Sequence, residues 1–197
     1  MPKLISMKLI YEGAEAKVFL DKGIIIKQRI VKKYRHQNLN NKILKQRTKA
    51  EASILRKVKK AGIACPEVIK EDLENYTLYL SYIKGNPLRK YSKDKEKLIL
   101  VGKEIAKLHN HNIIHGDLTA QNIFYGDKKP IFLDFGLSSI SAKLEDYATD
   151  LTVLKGTILA DFSEETWDYI LEGYLKNTKH EIENKINEIE KRKRYLG

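Results

Sequence analysis

His115-Gly116-Asp117-Leu118-Thr119-Ala120-Gln121-Asn122 is the most informative segment of the chain, and a second motif, Asp134-Phe135-Gly136, begins 12 positions after it ends. Asp134 follows the apolar run Ile131-Phe132-Leu133, which predicts a strand leading into a turn. The Asp117 carboxylate can accept a hydroxyl proton or align a water. The amide oxygen of Asn122 and the Asp134 carboxylate are hard ligands suited to Mg²⁺. These spacings therefore indicate a site that orients a nucleophile beside a metal ion.

The order and spacing of these motifs resemble the catalytic loop and the Asp-Phe-Gly turn of the protein-kinase superfamily. The resemblance implies ATP and Mg²⁺ as cofactors, with Asp117 as the catalytic residue and Asn122 and Asp134 as metal ligands. It also implies an α+β chain with a small bilobal protein-kinase-like fold. We expect a β-rich N-lobe over residues 1–82 and a reduced helical C-lobe over residues 83–197, together forming one kinase-like domain.

The periodicity of apolar residues agrees with this order of elements. In the first part, alternating and β-branched runs predict strands within residues 9–11, 17–20, 24–27, 67–69 and 77–82. A helical pattern over residues 41–60 separates the third strand from the fourth, and Gly62 ends it. In the second part, helices are predicted around residues 98–108, 164–175 and 182–189, with two short strands between 113 and 137. Asp150 would be a buried helix residue that supports the backbone of the catalytic loop.

The first lobe supplies the charged pair that ATP-binding kinases use. Lys27 ends the strand Ile24-Ile25-Ile26, where an ammonium can contact the α- and β-phosphates. Glu51 is the natural counter-ion of Lys27, because it is the one acid between Lys22 and Lys60. Two alternatives remain open: Lys27 is one base among many, or Glu51 forms a surface pair with Arg47 one helical turn away.

Two further segments resemble the nucleotide-contacting parts of a kinase. The residues expected to cover the phosphates and the adenine are Tyr11, Glu12, Gly13, Ala14, Glu15, Ala16 and Val18. The residues expected to form the hinge between the lobes, where backbone groups contact the adenine edge, are Leu80, Ser81 and Ile83.

Several positions depart from the kinase pattern. The phosphate-covering loop has one glycine, Gly13, where kinases have three, which restricts backbone approach to phosphates. Gly116 replaces the usual arginine, so activation by a phosphorylated loop lacks its anchor. Thr119 replaces the lysine that contacts the γ-phosphate. Only 13 residues separate Gly136 from Asp150 with no Ala-Pro-Glu motif after them, so we expect no platform for a peptide substrate.

The positive charge of the chain is concentrated in two places. The formal net charge is +11, and the segment from Lys22 to Lys60 has 14 bases against one acid. A second basic cluster lies near the C-terminus. Such runs are usually solvated helix faces, but two of them favour contact with phosphates of a nucleic acid or with an acidic protein. The candidate contact residues are Lys32, Lys33, Arg35, Arg192, Lys193 and Arg194.

The composition argues against several other classes. No apolar run reaches the roughly 20 residues of a membrane-spanning helix. The single cysteine, Cys65, forms no disulfide within the chain, and a cytoplasmic location is expected. His109, His111 and His115 lie close in sequence, but the first two point to different sides of a helix, so a zinc site is not favoured.

The chain resembles one family in particular, the atypical kinase subunit of the KEOPS complex, which is related to the RIO kinases. The most specific parts of the resemblance are the basic run from Lys27 to His36 and the tail Arg192-Lys193-Arg194-Tyr195-Leu196-Gly197. The segments from Glu12 to Ala16 and from Arg47 to Ala52 add to it, together with the two catalytic motifs.

This resemblance implies an ATPase and atypical serine/threonine kinase that serves threonylcarbamoyladenosine modification of tRNA. The implied partners are a TsaD-type threonylcarbamoyltransferase subunit, a small tRNA-binding KEOPS subunit that contacts the first lobe, and tRNA itself. Two alternatives are a small-molecule phosphotransferase of the aminoglycoside type and a nucleotide-sensing scaffold. The aminoglycoside enzymes usually have a larger helical second lobe, and a scaffold need not keep all five charged or amide residues of the site.

Overall fold

The computed structural model describes residues 7–32 and 36–195. The described residues fall into two compact units. Of the described residues, 7–32, 36–57 and 66–83 belong to the first unit, and 58–65 and 84–195 belong to the second.

The first unit contains an antiparallel sheet of five strands, in the order β1-β2-β3-β5-β4. The strands are β1 (Lys8–Glu12), β2 (Ala16–Asp21), β3 (Ile24–Arg29), β4 (Val68–Asp72) and β5 (Thr77–Ser81). The register places Lys27 of β3 opposite Val18 on one side and Leu78 on the other. Lys27 therefore lies in a central strand, where it is held on both sides.

Helix α1 (Gln37–Lys60) follows the sheet's third strand and buries one face. Leu44, Leu55 and Val58 are almost fully buried, and Glu51 lies on the same face at helical spacing. The helix begins four residues before the predicted start at position 41, because the one apolar residue of its first turn, Leu39, is exposed and its neighbours are polar. Ala50, an apolar residue within the predicted helical pattern, is exposed.

The second unit contains the α-helices α2 (Lys95–Asn110), α3 (Leu144–Asp161), α4 (Glu164–Leu175) and α5 (Glu183–Tyr195). The bounds of α4 are those that the sequence predicts. Helices α2 and α4 approach closely, because a Cβ on Gly102 would lie 1.9 Å from the Ile170 carbonyl oxygen and one on Gly173 would lie 2.0 Å from that of Ile99. Only glycine allows this contact.

Two small sheets carry the motifs of the second unit. The short strands β6 (Asn86–Pro87), β8 (Ile123–Tyr125) and β9 (Pro130–Phe132) form one sheet in the order β6-β8-β9. Strands β7 (Ile113–Ile114) and β10 (Ser139–Ile140) form the other. The catalytic loop follows β7, and Asp134 lies two residues after β9, so the sheets fix where both motifs begin. Among the described residues, no helix is long and apolar enough to cross a bilayer.

Candidate active site

Asp117 and Asn122 are joined by hydrogen bonds within the catalytic loop. The Asn122 side-chain nitrogen donates to the Asp117 backbone oxygen at 2.9 Å and to its Oδ2 at 3.0 Å. Because the amide nitrogen is used in this way, the Asn122 Oδ1 is the atom left to act as a metal ligand. The Leu133 amide also donates to the Asn122 carbonyl at 2.8 Å. Asn122 and Asp134 therefore flank the open end of the β8–β9 hairpin.

Asp150 holds the backbone of the catalytic loop through hydrogen bonds, as the sequence predicts. It is 2% exposed, and its two oxygens accept from the amides of His115 at 2.7 Å and Gly116 at 2.9 Å. His109, which sequence reasoning set aside, contributes here, because its Nε2 lies 3.3 Å from Asp150 Oδ2 while its Nδ1 lies 2.9 Å from the hydroxyl of Tyr174. Three helices thus fix the loop through one carboxylate.

His115 is a buried structural residue of the loop. Its Nε2 donates to the Leu133 carbonyl at 2.9 Å, and its Nδ1 accepts from the Asp117 amide at 3.4 Å. Burial lowers the pKa of His115 below its usual value, although the Asp150 carboxylate opposes this effect. A neutral imidazole with its proton on Nε2 satisfies both contacts, so His115 orients the loop and holds no metal.

The Asp-Phe-Gly turn has a strained start and a buried centre. Asp134 has φ +55°, in the left-handed region that non-glycine residues rarely adopt, and its Oδ1 accepts from the Gly136 amide at 3.1 Å. Phe135 is 1% exposed and packs on His115, with ring centroids 4.7 Å apart. Strain of this kind is held by the surrounding packing and is frequent at functional sites.

Gly116 has a steric reason to replace the arginine of most kinases. Its φ is +79°, and a Cβ there would lie 2.2 Å from the carbonyl oxygen of Leu137, the residue after the Asp-Phe-Gly turn. The catalytic loop and the turn thus meet backbone to backbone at this point, which excludes any side chain.

We expect Gly116→Ala to destabilise the protein. A left-handed alanine costs roughly 1–2 kcal/mol, and displacing the Leu137 carbonyl adds to this cost. Thermal unfolding should show a clearly lower Tm for this variant. The matched control is Gly156→Ala in α3, where a Cβ meets nothing within 4 Å and alanine favours the helix. An equal Tm for the two variants would show that the close approach at Gly116 is absent.

In the first unit, Lys27 and Glu51 form the expected pair. The Lys27 Nζ lies 2.7 Å from Glu51 Oε1, with residue exposures of 8% and 2%. The other oxygen, Oε2, accepts from Nη2 of Arg29 at 2.5 Å. The alternative surface pair of Arg47 with Glu51 is not formed, since Arg47 donates to Glu15 at 2.9 Å. The sequence did not identify Arg29 as a partner of Glu51, although its position two residues after Lys27 on the same strand face was a usable signal.

The turn between β1 and β2 is held by charged contacts from the same unit. The Lys32 ammonium donates to the Ala14 carbonyl and lies 3.6 Å from Glu15. The Gly13 amide donates to the Ala16 carbonyl at 3.0 Å, and Ala16 is buried. Tyr11 is 62% exposed, Glu12 pairs with Lys17 at 2.8 Å, and Val18 is half-buried. The predicted phosphate-covering residues therefore form one closed turn with charged residues around it.

The predicted hinge residues differ in exposure, and the backbone amide of one of them is already hydrogen-bonded. Leu80 is buried, while Ser81 and Ile83 are half-buried. The Ser81 amide donates to the Glu67 carbonyl at 2.9 Å. A contact from the Ser81 N–H to an adenine is therefore excluded unless this hydrogen bond breaks.

Two of the basic candidates, Lys32 and Arg192, have acidic partners among the described residues. Lys32 contacts Glu15, and Arg192 pairs with Glu145 at 2.7 Å and Glu188 at 3.7 Å. Counting charges along the sequence does not find these partners, because they come from other elements or from the preceding helical turn. Lys33 and Arg35 lie outside the described residues. The side chains of Lys193 and Arg194, at the end of α5, are also outside them.

No cluster of three or more His, Cys, Asp or Glu side chains that could hold a metal ion exists in residues 7–32 and 36–195. A Mg²⁺ site made of one carboxylate and one amide with phosphate oxygens does not need such a cluster, because Mg²⁺ usually keeps several waters and substrate ligands. The donor set of Asn122 and Asp134 fits this kind of site.

Comparison with known proteins identifies the family. A model described as the RIO domain matches residues 7–148. The KEOPS complex subunit Bud32 of Pyrococcus abyssi is 36% identical over 212 aligned residues, which cover 96% of each chain. The chain is a Bud32-type member of the RIO domain family. This confirms the resemblance seen in the sequence.

Some relatives are longer than this chain. A probable bifunctional tRNA threonylcarbamoyladenosine biosynthesis protein of Methanosphaera stadtmanae is 41% identical over 196 residues. The match covers 94% of this chain and 36% of that protein, so the chain spans about a third of the length of this relative.

Solved structures confirm the protein-kinase-like fold of this RIO-domain chain. Rio2 kinase from Chaetomium thermophilum aligns with a TM-score of 0.66 at 17% identity, covering 94% of this chain and 67% of that one. Another Rio2 structure from the same organism is an ADP/Mg²⁺-phosphoaspartate complex. A gentamicin complex of the aminoglycoside phosphotransferase APH(2″)-IIa aligns with a TM-score of 0.68 at 16% identity and covers 99% and 84% of the two chains. At these identities the likeness concerns the fold alone.

Proposed function

We propose that this chain is a Mg-ATP-dependent phosphotransferase, an atypical serine/threonine kinase with ATPase activity, and that it serves threonylcarbamoyladenosine modification of tRNA as a KEOPS subunit. The observation that carries the proposal is the loop in which Asn122 holds Asp117 at 3.0 Å while Asp150 fixes the backbone beneath it. Phosphoryl transfer depends on this kind of positioning far more than on covalent help from the protein.

Each proposed role follows from the chemistry of the side chain. Asn122 and Asp134 would hold Mg²⁺, which neutralises phosphate charge when bound. Lys27, supported by Glu51, would contact the α- and β-phosphates. Asp117 would accept the proton of a hydroxyl or align a water, because its position is fixed while its carboxylate can still accept a proton.

The turn from Glu12 to Ala16, with Tyr11 and Val18, would cover the nucleotide, and Leu80, Ser81 and Ile83 would contact the adenine. The Ser81 amide already donates a hydrogen bond to the Glu67 carbonyl. The contact of Ser81 with the adenine would therefore come from another of its groups. The expected cytoplasmic location stays a prediction.

Relatives support the assignment to tRNA modification and to the KEOPS complex. A protein of Archaeoglobus fulgidus named as a probable serine/threonine-protein kinase BUD32 homolog is 35% identical and is covered over 96% of its length. In the longer bifunctional relatives, this chain corresponds to one part. We infer that a TsaD-type threonylcarbamoyltransferase and a small tRNA-binding subunit are its partners, with tRNA bound in the assembly.

An ATP turnover assay with and without the TsaD-type partner and tRNA tests this proposal. We expect Mg²⁺-dependent turnover by the chain that changes when partner and tRNA are added. Phosphorylation of an aminoglycoside under the same conditions would favour the small-molecule kinase instead. Nucleotide binding with no turnover in any mixture would favour the scaffold.

The basic C-terminal cluster is proposed to contribute to tRNA affinity in the complex. Changing Arg192, Lys193 and Arg194 together to glutamine should weaken tRNA binding and flatten its salt dependence, by roughly 0.7–0.9 in logarithmic slope for each phosphate that is no longer neutralised. Arg192 is already paired with Glu145, which limits what its charge can contribute to this slope. Salt-dependent binding isotherms of the complex measure this slope.

The matched control is a double change of the exposed Lys128 and Lys129 to glutamine, which removes charge from the β8–β9 turn. A salt slope that the tail variant leaves unchanged would contradict the tRNA contact. Failure of the subunits to assemble would show that the tail docks protein.

A further inference from the structure

Arg29 takes part in the most deeply buried ion-pair cluster that the first unit shows in its described residues. It is 6% exposed, and its Nη2 lies 2.5 Å from Glu51 Oε2 and 3.4 Å from the Arg47 carbonyl oxygen. Lys27 uses the other carboxylate oxygen, Oε1, at 2.7 Å. One carboxylate of α1 is therefore shared between two cations of β3, one on each oxygen.

This sharing follows from the geometry of the strand. Lys27 and Arg29 are two residues apart, so their side chains leave the same face of β3, while Gln28 between them is exposed. Glu51 is on the buried face of α1, opposite both. The planar guanidinium presents several donors in a fixed fork, whereas an ammonium is a single mobile charge on a flexible stem.

The two contacts have different consequences when a nucleotide is bound. A lysine that turns toward phosphates weakens its contact with its glutamate, and a buried carboxylate that loses its only cation is strongly destabilised. With Arg29 in place, Glu51 keeps a charged partner whichever way the Lys27 ammonium points. Arg29 therefore allows the Lys27 ammonium to move without the free-energy cost of an unpaired buried carboxylate.

We propose that Arg29 is a positioning residue: it holds Glu51 and α1 against β3, so that Lys27 can engage the phosphates without leaving a buried carboxylate unpaired. The part that concerns phosphates rests on the proposed ATP-dependent function. The anchoring of α1 by Arg29 does not, because it is a contact of the protein alone.

Substitution of Arg29 tests the proposal. In Arg29→Met, kcat/KM for ATP should fall roughly 10- to 100-fold, and hydrogen exchange of the amides around Arg47 to Glu51 should speed up without nucleotide. Arg29→Lys keeps the charge and should recover at least a third of the lost protection and rate. Arg56→Met, which removes an exposed arginine of α1 paired with Glu71, is the matched control and should change neither.

A double-mutant cycle with Lys27 separates positioning from a general structural role. If Arg29 acts through Lys27, adding Arg29→Met to Lys27→Met should weaken the affinity for a fluorescent ATP analogue no further than Lys27→Met alone. The proposal would be overturned if Arg29→Met lowered the affinity for the analogue equally in the unmodified chain and in Lys27→Met. It would also be overturned if Arg29→Met changed neither kcat/KM nor the hydrogen exchange. If the unmodified chain neither bound nor hydrolysed Mg-ATP, the proposed function would fail, while the exchange measurement would still decide whether Arg29 anchors α1.

Discussion

Replacing Asp134 by alanine is expected to abolish Mg²⁺-dependent ATP turnover. The change removes the one carboxylate from the proposed metal site, whose other proposed protein ligand is the neutral Asn122, so a Mg²⁺ ion held there would lose its charged protein ligand. Asn122→Ala should reduce turnover in part, since it removes the proposed neutral ligand and also releases Asp117 from its hydrogen bond. Steady-state phosphate release measures both effects.

Asp127→Ala is the matched control for this result. Asp127 is an exposed carboxylate at the turn of the same β8–β9 hairpin, at the end away from Asp134, so its loss should leave turnover unchanged. Full activity of the Asp134 variant would contradict the proposed metal site and the assignment as a kinase-type enzyme. Alanine at 134 also lacks the contact to the Gly136 amide, so folding of the variant should be verified by its Tm.

Asp117→Asn is expected to lower kcat by about 10²–10⁴-fold while affinity for ATP changes little. Asparagine keeps the shape of the side chain and can still accept from the Asn122 amide through its own oxygen, but it cannot take up a proton. The range is the usual contribution of a positioned general base. Single-turnover kinetics with a separate measurement of ATP affinity distinguishes the two quantities.

Asp127→Asn makes the same chemical change at an exposed turn and should leave both quantities unaltered. If Asp117→Asn instead lost ATP affinity while turnover per bound ATP persisted, Asp117 would be a binding residue and its proposed catalytic role would be wrong.

The parts of the site that were predictable from sequence are those in which local pattern and chemistry coincide. Asp150 supports the loop amides because it sits on the buried face of a helix, and a buried aspartate needs donors. Glu51 pairs with Lys27 because it is the one acid in a long basic segment and faces inward. At both positions, the residue type and its place in the helical pattern allowed few alternative partners.

The parts that were missed depend on contacts between elements distant in sequence. The pairing of Arg192 with Glu145 joins α5 to α3 across 47 positions, and that of Arg47 with Glu15 joins α1 to the β1–β2 turn across 32. Charge counting along the chain cannot find such pairs. Gly116 is another case in which the sequence does not show a contact between distant elements. Its lack of a side chain was interpreted as a missing activation anchor, whereas the nearby Leu137 carbonyl explains directly why a side chain is excluded.

Equilibrium titration of the chain with ATP, in the presence and absence of Mg²⁺, tests the central claim most directly. We predict one ATP bound per chain with Mg²⁺ present, weaker binding when the metal is chelated, and loss of the metal's effect in Asp134→Ala. Failure of the folded chain to bind ATP in the presence of Mg²⁺ would contradict the claim.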